Sequence, residues 1–190
     1  MRIIENLVPG EYYHIYNRGI NGGDIFKEEK NYAYFLQLYA KHIPSIADTY
    51  SYCLLKNHFH ILLKIKEQTL LGSRQPHRVM GNFFNAYAQG FNKVYGRTGS
   101  LFEKPFRRKC IAQESYFTWL VWYIHSNAQR HKFVSDFRNW PHSSYHSILS
   151  GQQTIVKREE LINWFGNIDY FIKYHQQQNG DFDDLIIEQG

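Results

Sequence analysis

Apolar positions recur along the chain with a strand period in some stretches and a helix period in others. Residues 11 to 18 (Glu-Tyr-Tyr-His-Ile-Tyr-Asn-Arg) read as a strand that ends in the turn signal Gly19 to Gly23. Tyr32, Phe35, Leu36, Tyr39 and Ile43 then fall at i, i+3, i+4, i+7 and i+11, one face of a helix closed by Pro44. Thr49 to Leu55 and His58 to Ile65 are β-rich runs joined by Lys56-Asn57, the pattern of a hairpin. After the loop Gly72 to Pro76, Met80, Phe83, Phe84, Tyr87, Phe91 and Val94 restore the helical period over His77 to Tyr95, and Gly96 to Ser100 ends it. A strand is expected over Leu101 to Ile111, followed by a helix with Phe117, Leu120, Val121, Ile124 and Ala128 on one stripe. Asp136 to Ser150 reads as irregular, with one or two shorter helices between Lys157 and Gln178.

The order β α β β α β α predicts an α+β fold. Its expected form is ferredoxin-like (split βαβ): an antiparallel sheet with helices on one face and the other face open to a nucleic acid. The division expected is a domain over 1–150 and a helical extension with an acidic tail over 151–190.

Composition narrows the class. At 190 residues, with 43% hydrophobic and 21% charged side chains, the chain fits one folded domain and is not a disordered one. Cys53 and Cys110 cannot make a disulfide framework or a cysteine zinc cluster, which suits a reducing compartment. The first ten residues do not read as a secretory leader, and no apolar run reaches the roughly 20 residues of a membrane span. A cytoplasmic protein with no membrane partner is expected. The net charge of +5 says little, but its distribution says more. Between Lys56 and Lys109, eleven basic residues face two acids, whereas Glu159 to Gly190 holds seven acids and one lysine. A basic middle and an acidic end suit a polyanion-binding surface. Aromatic residues, 17% of the chain, sit among polar ones around Tyr12, Tyr13, His14 and Tyr16, a mixture that stacks on unpaired bases as well as filling a core.

In Asn57-His-Phe-His-Ile-Leu-Leu-Lys-Ile65 the period of two assigns Phe59, Ile61, Leu63 and Ile65 to the core face and His58, His60, Leu62 and Lys64 to the other. Imidazoles at i and i+2 stand within reach of one divalent ion, although a bare His-x-His also describes two surface histidines. On the third helix Tyr123 and Asn127 are one turn apart on the flank of the buried stripe, an arrangement that suits a site and also suits plain packing.

Cys53-Leu-Leu-Lys-Asn-His-Phe-His-Ile-Leu-Leu63 and Tyr123-Ile-His-Ser-Asn127 resemble the strand and helix motifs of single-tyrosine HUH transposases, specifically the REP-associated tyrosine transposases and their insertion-sequence relatives. His14-Ile-Tyr-Asn-Arg-Gly19, Gly99-Ser-Leu-Phe102 with Phe106-Arg107, and Trp140 with Ser143-Ser-Tyr145 match in the same order, so the resemblance covers residues 10 to 147. It implies a divalent metal, Mg²⁺ or Mn²⁺, and single-stranded DNA flanked by a hairpin or palindrome. It assigns His58, His60 and Asn127 as metal ligands and Tyr123 as the nucleophile that forms a covalent 5′-phosphotyrosine, in a protein that acts as a monomer or a homodimer. Lys56 and Ala128 depart from it, since prolines are usual at both places. Ala128 lets the helix run on towards Arg130 or His131.

Such chemistry needs an oxygen nucleophile and a means of neutralising the phosphoryl group; a tyrosine, with its ordinary pKa near 10, needs help. Arg18, Lys56, Arg107, Arg108 and Lys109 are candidates for phosphate contacts, and His14, Tyr16 or Tyr12 for base stacking. Two other classes compete with a DNA-cleaving and joining enzyme. One is a catalytically silent single-strand-binding protein, the other a metal hydrolase with a water nucleophile.

Overall fold

The computed structural model describes residues 6–177, the Glu114 side chain excepted; the expected acidic tail lies outside them. Four strands, β1 (Tyr12–Arg18), β2 (Ala47–Leu54), β3 (His58–Ile65) and β4 (Arg107–Cys110), form one sheet in the order β2-β3-β1-β4 with every neighbouring pair antiparallel. With β3 between β1 and β2, this is the expected split βαβ arrangement. The helices are α1 (Glu29–His42), the single turn α2 (Gln68–Leu71), α3 (Pro76–Val94), α4 (Glu114–Arg130), the short α5 (Tyr145–Leu149), α6 (Arg158–Phe165) and α7 (Ile168–Gln177). Among the described residues no helix is long and apolar enough to cross a membrane.

The period of two in β3 builds the core. Phe59, Ile61, Leu63 and Ile65 are buried on the side covered by α1 and α3, where the Phe59 ring lies 5.3 Å from Phe35 and 5.5 Å from Phe84. The second face is shared. α4 lies over β2 and β3, its Phe117 ring edge-on to Tyr50 at 5.6 Å and to Tyr12 of β1 at 5.2 Å. The remainder of that face stays accessible as a cleft at the Arg18 end of β1.

Two expectations are corrected. The strand expected over Leu101 to Ile111 is only Arg107–Cys110. Phe102 makes a lone bridge to Gly19 and then turns into the aromatic core 5.6 Å from Phe84, and Pro105 has no N–H for a ladder. The stretch read as irregular from Asp136 to Ser150 holds α5 and a segment that covers the outer edge of β2. The amide of Leu54 donates to the His142 carbonyl at 2.9 Å, the amide of Ser144 to the Tyr52 carbonyl at 2.9 Å, and the Trp140 indole to the Leu54 carbonyl at 3.0 Å. An edge that would otherwise recruit another chain is thereby closed.

The helices after residue 150 dock on α4 and β2. Trp164 stacks on Phe117 at 4.4 Å, Tyr50 donates to Glu160 at 2.7 Å, and Leu161 and Phe171 are fully buried. A buried polar chain ties α7 down. His175 Nδ1 donates to the Phe171 carbonyl at 2.8 Å, so its Nε2 accepts from His125 Nδ1 at 2.9 Å; His125 Nε2 in turn accepts from the Ser144 hydroxyl at 2.8 Å. Burial holds both histidines neutral, with His125 well below the ordinary range and His175 down at about 4. The unfolded chain binds protons from about pH 6.5 downward and the folded chain does not, so this stability is complete above pH 6.5 and is lost as pH falls towards 4. Urea unfolding at stepped pH should show that loss, with about 3 kcal/mol from His175 by pH 4, and His175→Met should flatten the slope.

Candidate nucleic-acid and metal site

The β1–β3 register sets Tyr16 opposite His60, His14 opposite Leu62 and Arg18 opposite His58, so one face carries all of these side chains. Tyr16, His14 and His60 lie nearly parallel: Tyr16 stacks on His14 at 4.7 Å and on His60 at 5.7 Å. His14 Nε2 is 2.9 Å from His60 Nδ1, and His58 Nδ1 is 2.7 Å from Asn57 Oδ1. From above, α4 brings Tyr123, whose ring stands perpendicular to His60 at a centroid distance of 5.7 Å. Asn127 follows one turn later, its Nδ2 donating to the Tyr123 carbonyl at 3.3 Å.

Four polar atoms here are buried without a hydrogen-bond partner: Nδ1 of His14, Nε2 of His58, Nε2 of His60 and Oδ1 of Asn127. Leaving such atoms unpaired is costly; an amide oxygen, or an imidazole nitrogen in the tautomer that leaves it without hydrogen, offers a lone pair suited to a cation. Burial pushes the His58 pKa down to about 4 and that of His60 well below its usual value, so both rings are neutral at physiological pH, as metal ligands must be. The Asn127 carboxamide works in the opposite direction on His58 and so faces that ring, although no hydrogen bond of ordinary geometry joins them. Among the described residues no three His, Cys, Asp or Glu side chains come together to hold a metal.

A cleft of about 410 Å³ opens beside these rings, with Tyr16, Arg18, Asn57, His58, His60 and Arg107 in its wall. Glu103 holds the two arginines, its carboxylate 2.5 Å from Arg18 Nε and 3.2 Å from Arg107 Nη2. Tyr123 does not line the cleft. It is 2% exposed, stacked on Trp119 at 5.2 Å, with the Arg130 guanidinium 5.2 Å from its ring centroid.

The remaining expected contacts divide. Lys109 shares the face of Arg107 and lies 5.0 Å from the Tyr116 ring centroid, while the exposed Lys56 has a carbonyl that accepts the amides of Ile25 and Phe26. Arg108 points to the opposite face, its guanidinium 4.0 Å from the Phe106 ring centroid, because adjacent residues on a strand face opposite ways. His14 is fully buried and offers no face to a base. Its place in the set is beside His60. Sequence reasoning missed His131, which lines the cleft with its ring 4.6 Å from His58, and Asn57, the partner of His58. A signal for His131 existed, since 123, 127 and 131 share one helical stripe.

No protein-family model matches this chain, and no curated protein does. Among solved structures, that of a REP-associated tyrosine transposase bound to a REP hairpin aligns with a TM-score of 0.62, covering 82% of this chain and 89% of that one at 14% identity. At that identity the likeness is one of fold: an antiparallel four-stranded sheet with helices packed on it.

In solution His58 should titrate near pH 4, and ¹⁵N-resolved spectra at neutral pH should show its proton on Nδ1. Asn57→Ala should remove that tautomer preference.

Proposed function

We propose that this protein is a transposase that cleaves and rejoins single-stranded, hairpin-flanked DNA through Tyr123. The carrying observation is the set of buried, unpartnered atoms on His58, His60 and Asn127 beside the Tyr123 ring. The transposase of similar fold, bound to a hairpin, supports the choice of nucleic acid. His58, His60 and Asn127 would hold a divalent ion, which when bound as Mg²⁺ or Mn²⁺ supplies Lewis-acid polarisation of the scissile phosphate. Arg18 and Arg107 bring positive charge to the cleft wall, and the half-buried Tyr16 offers a ring for an unpaired base. The Tyr123 oxygen attacks phosphorus, and the bond to the 3′-oxygen breaks. The Tyr123 phenol loses its proton and the leaving 3′-oxygen gains one, so the products are a 5′-phosphotyrosine and a 3′-hydroxyl; attack by a 3′-hydroxyl reverses the step, returns the proton to the phenol and reseals the strand.

The burial of Tyr123 favours a second reading, a protein that binds single strands without cutting them. Incubation of the protein with a hairpin-bearing single strand and Mn²⁺ separates the two. A covalent adduct that survives denaturing electrophoresis and disappears in Tyr123→Phe is the expected result. Binding without an adduct selects the second reading, and cut ends without an adduct make water the nucleophile.

Binding should also separate neighbouring arginines. Arg107→Ala is expected to lower the slope of log affinity against log salt by about 0.7, one single-strand phosphate contact, whereas Arg108→Ala leaves it unchanged.

A further inference from the structure

The cleft wall contains no carboxylate; its charged side chains are Arg18 and Arg107, of which Glu103, behind them, offsets one. The orphaned atoms Nε2 of His58, Nε2 of His60 and Oδ1 of Asn127 belong to two imidazoles and a carboxamide, all neutral, and His14 Nδ1 is orphaned beside them. Each imidazole also leans on a neutral partner through its other nitrogen, where metal-bound histidines commonly have a carboxylate. Asn57 Nδ2 donates to the Gly22 carbonyl, which fixes the amide with its Oδ1 towards His58. An amide oxygen only accepts, so His58 Nδ1 carries the hydrogen and Nε2 the lone pair. For His60 two arrangements satisfy the contact with His14. The one in which His60 Nδ1 donates and His14 Nε2 accepts leaves His60 Nε2 as an acceptor.

Building on the metal-dependent reading above, we propose that His14 and Asn57 are positioning residues that present the Nε2 atoms of His60 and His58 without adding negative charge, so that a divalent cation enters the site together with a DNA phosphodiester. A dication among neutral donors and beside a net positive pair of arginines gains little on its own. One phosphodiester supplies both the missing charge and oxygen ligands, and by linkage each strengthens the binding of the other by the same factor.

The test uses full-length protein carrying Tyr123→Phe, which cannot form the adduct, with free Mn²⁺ read by electron paramagnetic resonance. With a single-stranded oligonucleotide present, Mn²⁺ should bind about tenfold or more tightly than without it, and Mn²⁺ should raise DNA affinity by an equal factor. Asn57→Asp adds the missing charge at a half-exposed position; it should raise Mn²⁺ affinity without DNA by about tenfold and shrink the gain from DNA. His14→Gln keeps an acceptor and should retain coupled binding, while His14→Phe should lose about tenfold. Equal Mn²⁺ affinity with and without DNA overturns the proposal, as does Asn57→Asp binding Mn²⁺ no better than its parent. Adduct formation by the Tyr123 protein with uncoupled Mn²⁺ binding would sink this inference and leave the transposase reading standing. No Mn²⁺ binding in either arm would remove the metal-dependent reading and this inference with it.

Discussion

The antiparallel ladder between β1 and β3 is the constraint on which the rest depends. Because successive side chains alternate, the register that buries Ile15 and Phe59 towards α1 and α3 also lines up Tyr16 with His60 and Arg18 with His58 on the far side. A slip of one residue would expose the core and scatter the candidate ligands together. Gly19 extends this control into the turn that follows. A Cβ there would lie 1.9 Å from the Gly23 carbonyl oxygen, and the Gly19 amide donates to the Asn57 carbonyl at 2.8 Å. Packing of the turn after β1 therefore helps to fix Asn57, and Asn57 orients His58.

Burial then decides the chemistry. His14, held neutral with a pKa pushed down to about 3, His58 and His60 form an uncharged group of rings on a sheet whose next layer is arginine. Neutral rings can be close-packed without a counterion, which is why a site with no acid in its wall is tolerated in the interior. The arginines need Glu103, and Glu103 is where it is because its amide donates to the Arg18 carbonyl at 3.0 Å. The irregular segment that replaces the first half of the expected strand thus has a purpose in charge balance.

Much of this was legible in the residues. Alternation along β3 placed His58 and His60 on one face, and helical spacing placed Tyr123 beside Asn127. Alternation, applied strictly, also separates Arg107 from Arg108, a distinction that is lost when the two are read as one basic cluster. The burial of His14 was not legible, because it depends on which strands α4 covers, and that is settled by Phe117 finding Tyr12 and Tyr50. The docking of α6 and α7 was equally hidden: an amphipathic pattern predicts a buried face without naming what buries it. Trp164 and His175 meet Phe117 and His125 across about 50 residues of chain.

On the proposed reading, that docking bears on how the buried tyrosine would reach a substrate. α4 is pinned below Tyr123 by the stack of Phe117 on Trp164 and above it by the His125–His175 hydrogen bond. Swinging the whole helix outward would break both contacts and expose Phe117, Leu120 and Ile124. Rotating the Tyr123 side chain leaves both contacts intact; the groups packed around its ring include Arg130 at the end of the helix and the face of Trp119. Arg130 is a cation that an incoming phosphate would attract. On the proposed reading the DNA itself draws away the group that covers the nucleophile, and α4 stays in place as the rigid part of the site.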